Sequence, residues 1–210
     1  MNAKINKLIS TIIPSKKINY IGLFLLSLGI ISGAIFLVVI NQNDKITITT
    51  QINEFMSNIN TNSINSVQAL KNSLISNITY ILLIWILGMS IIGILINIFA
   101  TYIKGFILGF SITSLIYVYG IKGLLASFIY IFPHQLLNIM AILLVFIYSV
   151  MLTKYLFRII SGDKTINIRV FLKKYFFILL ISLGITLISS LFEAFVTPAL
   201  FKLIIKLFVK

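Results

Sequence analysis

The sequence predicts an all-α, polytopic membrane protein with five transmembrane helices, a re-entrant or interfacial half-helix before the fourth, and an amphipathic C-terminal tail. Three observations predict it. The 210 residues are 60% hydrophobic and only 10% charged, with a mean hydropathy of +1.11, whereas soluble domains carry about 25% charged residues. Apolar runs of about 20 residues recur along the chain, each long enough to cross about 30 Å of hydrocarbon. The Lys and Arg residues behind the net charge of +13 cluster between those runs, where they set topology and meet anionic membrane lipid, so nucleic acid is not the expected partner. The absence of cysteine removes disulfides, thiolate nucleophiles and Cys-ligated metals.

The whole chain, 1–210, reads as one integral membrane domain. Residues 1–17 form a basic cytoplasmic N terminus with Lys4, Lys7, Lys16 and Lys17. Tyr20–Ile40 follows as the first span; it outlasts the hydrophobic region of a signal peptide and carries no A-x-A site, so it is read as retained, with cleavage as the minor alternative. Residues 41–77 form the one extended polar segment, an extracytoplasmic loop in which Asp44 and Glu54 balance Lys45 and Lys71. Its "KITITTQI" alternates like a strand but is read as a loose loop. Ile64, Val67, Leu74, Ile75 and Ile78 fall near helical spacing and suggest an amphipathic helix lying on the bilayer.

Ile78 to about Thr101 is predicted as the second span and Gly105 to about Gly120 as the third, with Lys104 in a tight connection between them. The apolar run Gly123–Phe132 ends at Pro133, which lacks a backbone donor and restricts the residue before it. Ten helical residues cover only about 15 Å, hence the half-helix. The fourth span runs from about Pro133 to Phe157, residues 158–174 form a basic cytoplasmic loop, and Tyr175 to about Thr197 is the fifth span. Pro198 is expected to break the chain before the tail, 199–210, where Lys202, Lys206 and Lys210 share one helical face opposite Leu203, Ile204, Leu207 and Phe208.

On this topology Lys122, Pro133, His134, Gln135, Asn138 and Glu193 gather under the outer loop. A carboxylate in lipid is costly unless paired, so Glu193 should find a donor in His134, in Thr197 or in a backbone amide freed near Pro198. The plainer reading is that Glu193 sits in the interface and fixes helix depth. Gly29-x-x-x-Gly33 and Gly105-x-x-x-Gly109 offer small faces for close helix contact, within the molecule or between copies. Trp85 and the tyrosines fit interfacial anchors or core aromatics. No enzymatic motif is present, and His134, the sole histidine, has no neighbours at metal-ligand spacing. The sequence therefore predicts no catalytic residue, no metal and no cofactor.

Four stretches, "WILGMSIIG" (Trp85–Gly93), "KGFILGF" (Lys104–Phe110), the "FP" before His134 and "EAFVTP" (Glu193–Pro198), resemble in order and spacing the stage II sporulation protein M family. The likeness covers nearly the whole chain. It implies a non-enzymatic plasma-membrane protein of engulfment, in the mother-cell membrane at the septum, that recruits a lytic transglycosylase-like protein and an amidase/endopeptidase to cut peptidoglycan. Two positions depart from the family's pattern. Phe195 stands where the sporulation branch has Tyr, and Asn138 stands where the wider family often has an acid.

Three function classes follow as expectations. A scaffold would dock peptidoglycan hydrolases on its outer surface. A transport or export component would use the helix broken at Pro133 and the intramembrane Asn97, Asn138 and Glu193. An intramembrane hydrolase would need Glu193 and His134 to act together.

Overall fold

The computed structural model describes residues 16–60, 65–162 and 168–205. Lys4, Lys7, Ile64, Lys164, Lys206, Leu207, Phe208 and Lys210 lie outside them, as do the side chains of Leu203 and Ile204.

The described residues form α1 (Lys16–Val39), α2 (Gln42–Asn60), α3 (Ser66–Leu87), α4 (Gly93–Tyr119), α5 (Ile121–Tyr130), α6 (Phe132–Ile160), α7 (Ile168–Leu191), a π-helical turn (Phe192–Val196) and α8 (Thr197–Ile205). Five helices are long and apolar enough to cross a membrane: α1, α3, α4, α6 and the run Ile168–Leu200.

The second and third spans are placed differently from the sequence reading. The chain turns at residues 88–92 and not near Lys104, which lies well inside α4. Gly88 and Gly93 make this turn possible. A Cβ on Gly93 would lie 1.8 Å from the Leu87 carbonyl oxygen, and one on Gly88 would meet the Ser149 and Tyr175 hydroxyls at 2.2 and 2.3 Å. An apolar reversal packed this tightly needs no polar loop.

The polar segment is also more ordered than expected. Residues 42–60 are a helix because Ile52, Phe55, Met56 and Ile59 recur at helical spacing and pack on α4 and α5. The Thr47, Thr49 and Thr50 hydroxyls donate to the carbonyls of Asn43, Lys45 and Ile46, which satisfies the residues that suggested a strand. Val67, Leu74, Ile75 and Ile78 belong to the continuous α3, capped by Asn65, whose side chain accepts from the amides of Val67 and Gln68.

Helices α1 and α4 run parallel, and both glycine pairs face inward across their seam. Cβ atoms on Gly29, Gly33, Gly105 and Gly109 would lie 2.1–2.4 Å from carbonyl oxygens of the opposite helix. These pairs therefore pack within the molecule. The α3–α4 hairpin sits against α6 and α7. Tyr175 stacks on Trp85 at 5.6 Å and donates to its carbonyl at 2.9 Å, while the indole Nε1 donates back to the Tyr175 carbonyl at 3.3 Å.

The two ends of the bundle differ in charge. Lys16, Lys17, Lys154, Arg158, Arg169, Lys173 and Lys174 occupy one end, where Ile18 packs with Tyr155 and Phe171. At the other end α2, α5 and α8 pack on one another and on α4 and α6, bringing Asp44, Glu54, Lys45, Lys71 and Lys122 with them. We call these the basic end and the capped end. Lys104 leaves the list of loop cations.

Candidate functional site

The site is a chain of polar side chains that begins about two turns below the start of α3 and crosses the bundle toward α6. Ser73 and Asn77 stand one turn apart on the inward face of α3. Asn138 and His134 stand one turn apart on α6, 0% and 3% exposed. Pro133 occupies the first turn of α6, where its missing N–H interrupts no helical bond.

The donors run in one direction. Asn138 Nδ2 donates to Asn77 Oδ1 at 2.6 Å, Asn77 Nδ2 to Ser73 Oγ at 3.2 Å, and Ser73 Oγ to Glu193 Oε2 at 2.6 Å. The chain thus ends on the carboxylate, the strongest acceptor available. Ser190 Oγ lies 3.0 Å from Ser73 Oγ, and Ser189 Oγ donates to the His134 carbonyl at 2.7 Å. His134 and Glu193 therefore share one end of the bundle.

Glu193 reaches this chain because of the π-helical turn. Pro198 has no N–H, and in a regular helix its ring would clash with the carbonyl four residues back. The wider turn relieves that conflict: both the amide and the hydroxyl of Thr197 are bonded to the Phe192 carbonyl, the latter at 2.9 Å. Pro198 thus does not break the chain as expected but is absorbed in a continuous run, Ile168–Leu200. Nor is Thr197 the donor to Glu193, because its hydroxyl is already committed to the main chain. The donor is Ser73.

Lys104 is the charge that the sequence reading misplaced. It lies about 16 Å into α4, with its ammonium 5.5 Å from the centre of the Tyr80 ring. The Tyr80 hydroxyl in turn donates to the Ala100 carbonyl. Lys104, Tyr130 and His134 lie within electrostatic reach of Glu193. The His134 ring stands edge-on to Tyr130 at 6.1 Å.

The remaining candidates lie elsewhere. Lys122 is exposed on α5, Gln135 is half-buried on α6, Gly105 and Gly109 line the α1–α4 seam, and Trp85 belongs to the aromatic clamp nearer the basic end. Asn97 ties the α3–α4 turn to α6, donating to the Ile84 carbonyl at 2.9 Å and to Ser149 Oγ at 2.7 Å.

Ser189 bonds the main chain of His134 and not its imidazole, which is not the arrangement that activates a serine nucleophile. Among the described residues no three His, Asp or Glu side chains stand close enough to hold a metal ion. What the arrangement can do is hold a carboxylate inside an apolar bundle and tie α3, α6 and α7 together through it.

Comparison with curated proteins and with solved structures finds no match. Residues 22–198 match the family model described as stage II sporulation protein M. Because that match covers most of its length, the chain belongs to the stage II sporulation protein M family, a family of sporulation-related membrane proteins.

Proposed function

We propose that the protein is a non-enzymatic membrane scaffold of the engulfment machinery, holding peptidoglycan hydrolases at the septal membrane through its capped end. The observation that carries this reading is the asymmetry of the bundle. Among the described residues the charges at one end are all cationic, as is usual of cytoplasmic ends, while the other end is built over by α2, α5 and α8 with charges of both signs. On this orientation the N terminus is cytoplasmic and the capped end faces the wall. The partners are a lytic transglycosylase-like protein and an amidase/endopeptidase. Family membership supports the sporulation setting, and the family is not a known enzyme family.

Helix α2 offers the docking face. Its apolar side is spent on α4 and α5, while Asp44, Gln51 and Glu54 point to solvent. The test reverses charge there, with Asp44→Lys, Gln51→Lys and Glu54→Lys, which leaves the packed side intact. Loss of hydrolase co-purification and of septal localisation, with normal membrane insertion, is expected. Unchanged recruitment removes α2 from the proposal.

A membrane transport or export component is the second reading, favoured by one observation: Lys104, Glu193 and the Asn77–Asn138 pair lie inside the bundle, and charged residues at such depth often line substrate paths. Against it, the Glu193 carboxylate is already engaged by Ser73. Flux through vesicles containing the purified protein, abolished by Lys104→Met, would favour transport over scaffolding.

A further inference from the structure

We propose that a slot at the capped-end rim of the α1–α4 seam binds one anionic phospholipid, with the phosphate on the Lys45 ammonium and an acyl chain in the slot. The slot is a half-open cavity of about 220 Å³ lined by Leu37, Val38, Lys45, Thr113, Ile116 and Tyr117. Leu37 and Val38 close α1, Lys45 stands in the first turn of α2, and the other three belong to the last two turns of α4. A cavity of roughly 150 Å³ takes a benzene ring, so this one has room for a stretch of hydrocarbon chain.

Its position selects the ligand. The 24 residues of α1 rise about 36 Å, more than the about 30 Å of hydrocarbon, so α1 ends at head-group depth. Val38, Val39, Ile46 and Tyr117, around the slot, are each more than half exposed. In a bundle that crosses a membrane such a patch faces lipid. The slot therefore opens toward acyl chains just below their head groups.

The polar wall supplies the other half of the ligand. Lys45 is half-buried, and its Nζ donates at 2.9 Å to the Val38 carbonyl, a last-turn oxygen that no amide of α1 can reach. This bond holds the ammonium at the rim. An ammonium carries three donors, which leaves two, and within the described residues no carboxylate pairs with it. Asp44 is adjacent in sequence, but successive helical residues do not face each other. The Thr113 and Tyr117 hydroxyls, one turn apart on α4, likewise make no hydrogen bond within the described residues. Three donors beside an apolar slot match a phosphodiester and its chain, and the cation favours a lipid of net negative charge. The site depends on neither reading of function above.

Native mass spectrometry of the full chain reads the occupancy, after incubation in dodecyl maltoside with dioleoyl phosphatidylglycerol or dioleoyl phosphatidylcholine. The two lipids share their chains and differ in net charge. One phosphatidylglycerol per chain is expected, held about tenfold better than phosphatidylcholine and about tenfold less well by Lys45→Met. Lys71→Met, at an exposed lysine of the same end, should hold it as the wild type does. Equal retention of the two lipids by the wild type overturns the proposal whether or not a variant folds. So does undiminished retention by Lys45→Met, an equal loss in Lys71→Met, or a lipid-free dimer, which would assign the slot to a second copy.

Discussion

Gly109→Ala tests the packing that positions α4, and with it Lys104. A Cβ at Gly109 would stand 2.1 Å from the Ile30 carbonyl oxygen and 2.7 Å from its carbonyl carbon and Cα. Ordinary contact begins near 3.4 Å, so the shortfall on the oxygen is 1.3 Å. The obstructing atoms are backbone and cannot rotate away; α1 must move as a body. A gap of about 1 Å forfeits up to half of each dispersion contact along a close seam, and overpacking of this kind costs about 1–3 kcal/mol. Alanine's better helix propensity returns about 0.5–1 kcal/mol, which leaves a net loss centred on about 1 kcal/mol and reaching about 2.5 kcal/mol. Gly184, in α7, is the control, since a Cβ there meets nothing within 4 Å. Unfolding in dodecyl maltoside with increasing SDS, followed by the fluorescence of the sole tryptophan, Trp85, reads both variants. Gly109→Ala should lower the midpoint while Gly184→Ala leaves it unchanged or raises it. Equal midpoints would show that the α1–α4 seam is not a close contact.

Further outcomes follow from the polar chain and can be read in the same unfolding assay. Glu193→Leu removes the acceptor of a charge-assisted bond and should cost about 1.5–3 kcal/mol, while Glu193→Gln keeps an acceptor for Ser73 and should cost less; equal losses would mean that the carboxylate is only tolerated. Asn138→Leu strips the donor from Asn77 Oδ1 and should cost about 1–3 kcal/mol, and pairing it with Asn77→Leu should cost less than the two single losses summed. Lys104→Met and Glu193→Gln should likewise be non-additive, because Lys104 lies within electrostatic reach of Glu193; additivity within about 0.5 kcal/mol would place them in separate environments.

Much of the architecture is legible in the sequence, because hydrocarbon thickness imposes a length rule that Tyr20–Ile40, Pro133–Phe157 and the run from Tyr175 obey. The half-helix before Pro133 and the shared end of His134 and Glu193 follow from the same counting. The α3–α4 turn does not, since its residues, Gly88-Met-Ser-Ile-Ile-Gly93, are mostly apolar and its stop signal is steric: two positions where a Cβ cannot fit. Lys104 drew the boundary to itself because a lone cation in an apolar run usually marks a loop. Here the Tyr80 ring faces its ammonium inside the bundle, a partner not visible from spacing. Polarity alone places Ser73 and Asn77 in the outer loop, although their i, i+4 spacing beside an apolar run is the signal of an inward polar face. Proline normally ends a helix, so the sequence alone predicts a break at Pro198; the π-helical turn that absorbs it depends on Thr197 and Phe192 acting together, a local geometry that proline alone does not announce.

Oxidative cross-linking of one double variant examines the meeting of α3 and α7 most directly. Ser73 and Ser190 oxygens lie 3.0 Å apart, a separation compatible with the Cβ spacing of a disulfide, and the chain offers no competing thiol. Ser73→Cys combined with Ser190→Cys should close an intramolecular bridge under mild oxidation in native membranes, whereas Ser73→Cys with Thr153→Cys, toward the basic end, should not. Absence of the first bridge, or appearance of the second, would place Glu193 outside the α3–α6–α7 interior and leave the polar chain without its anchor.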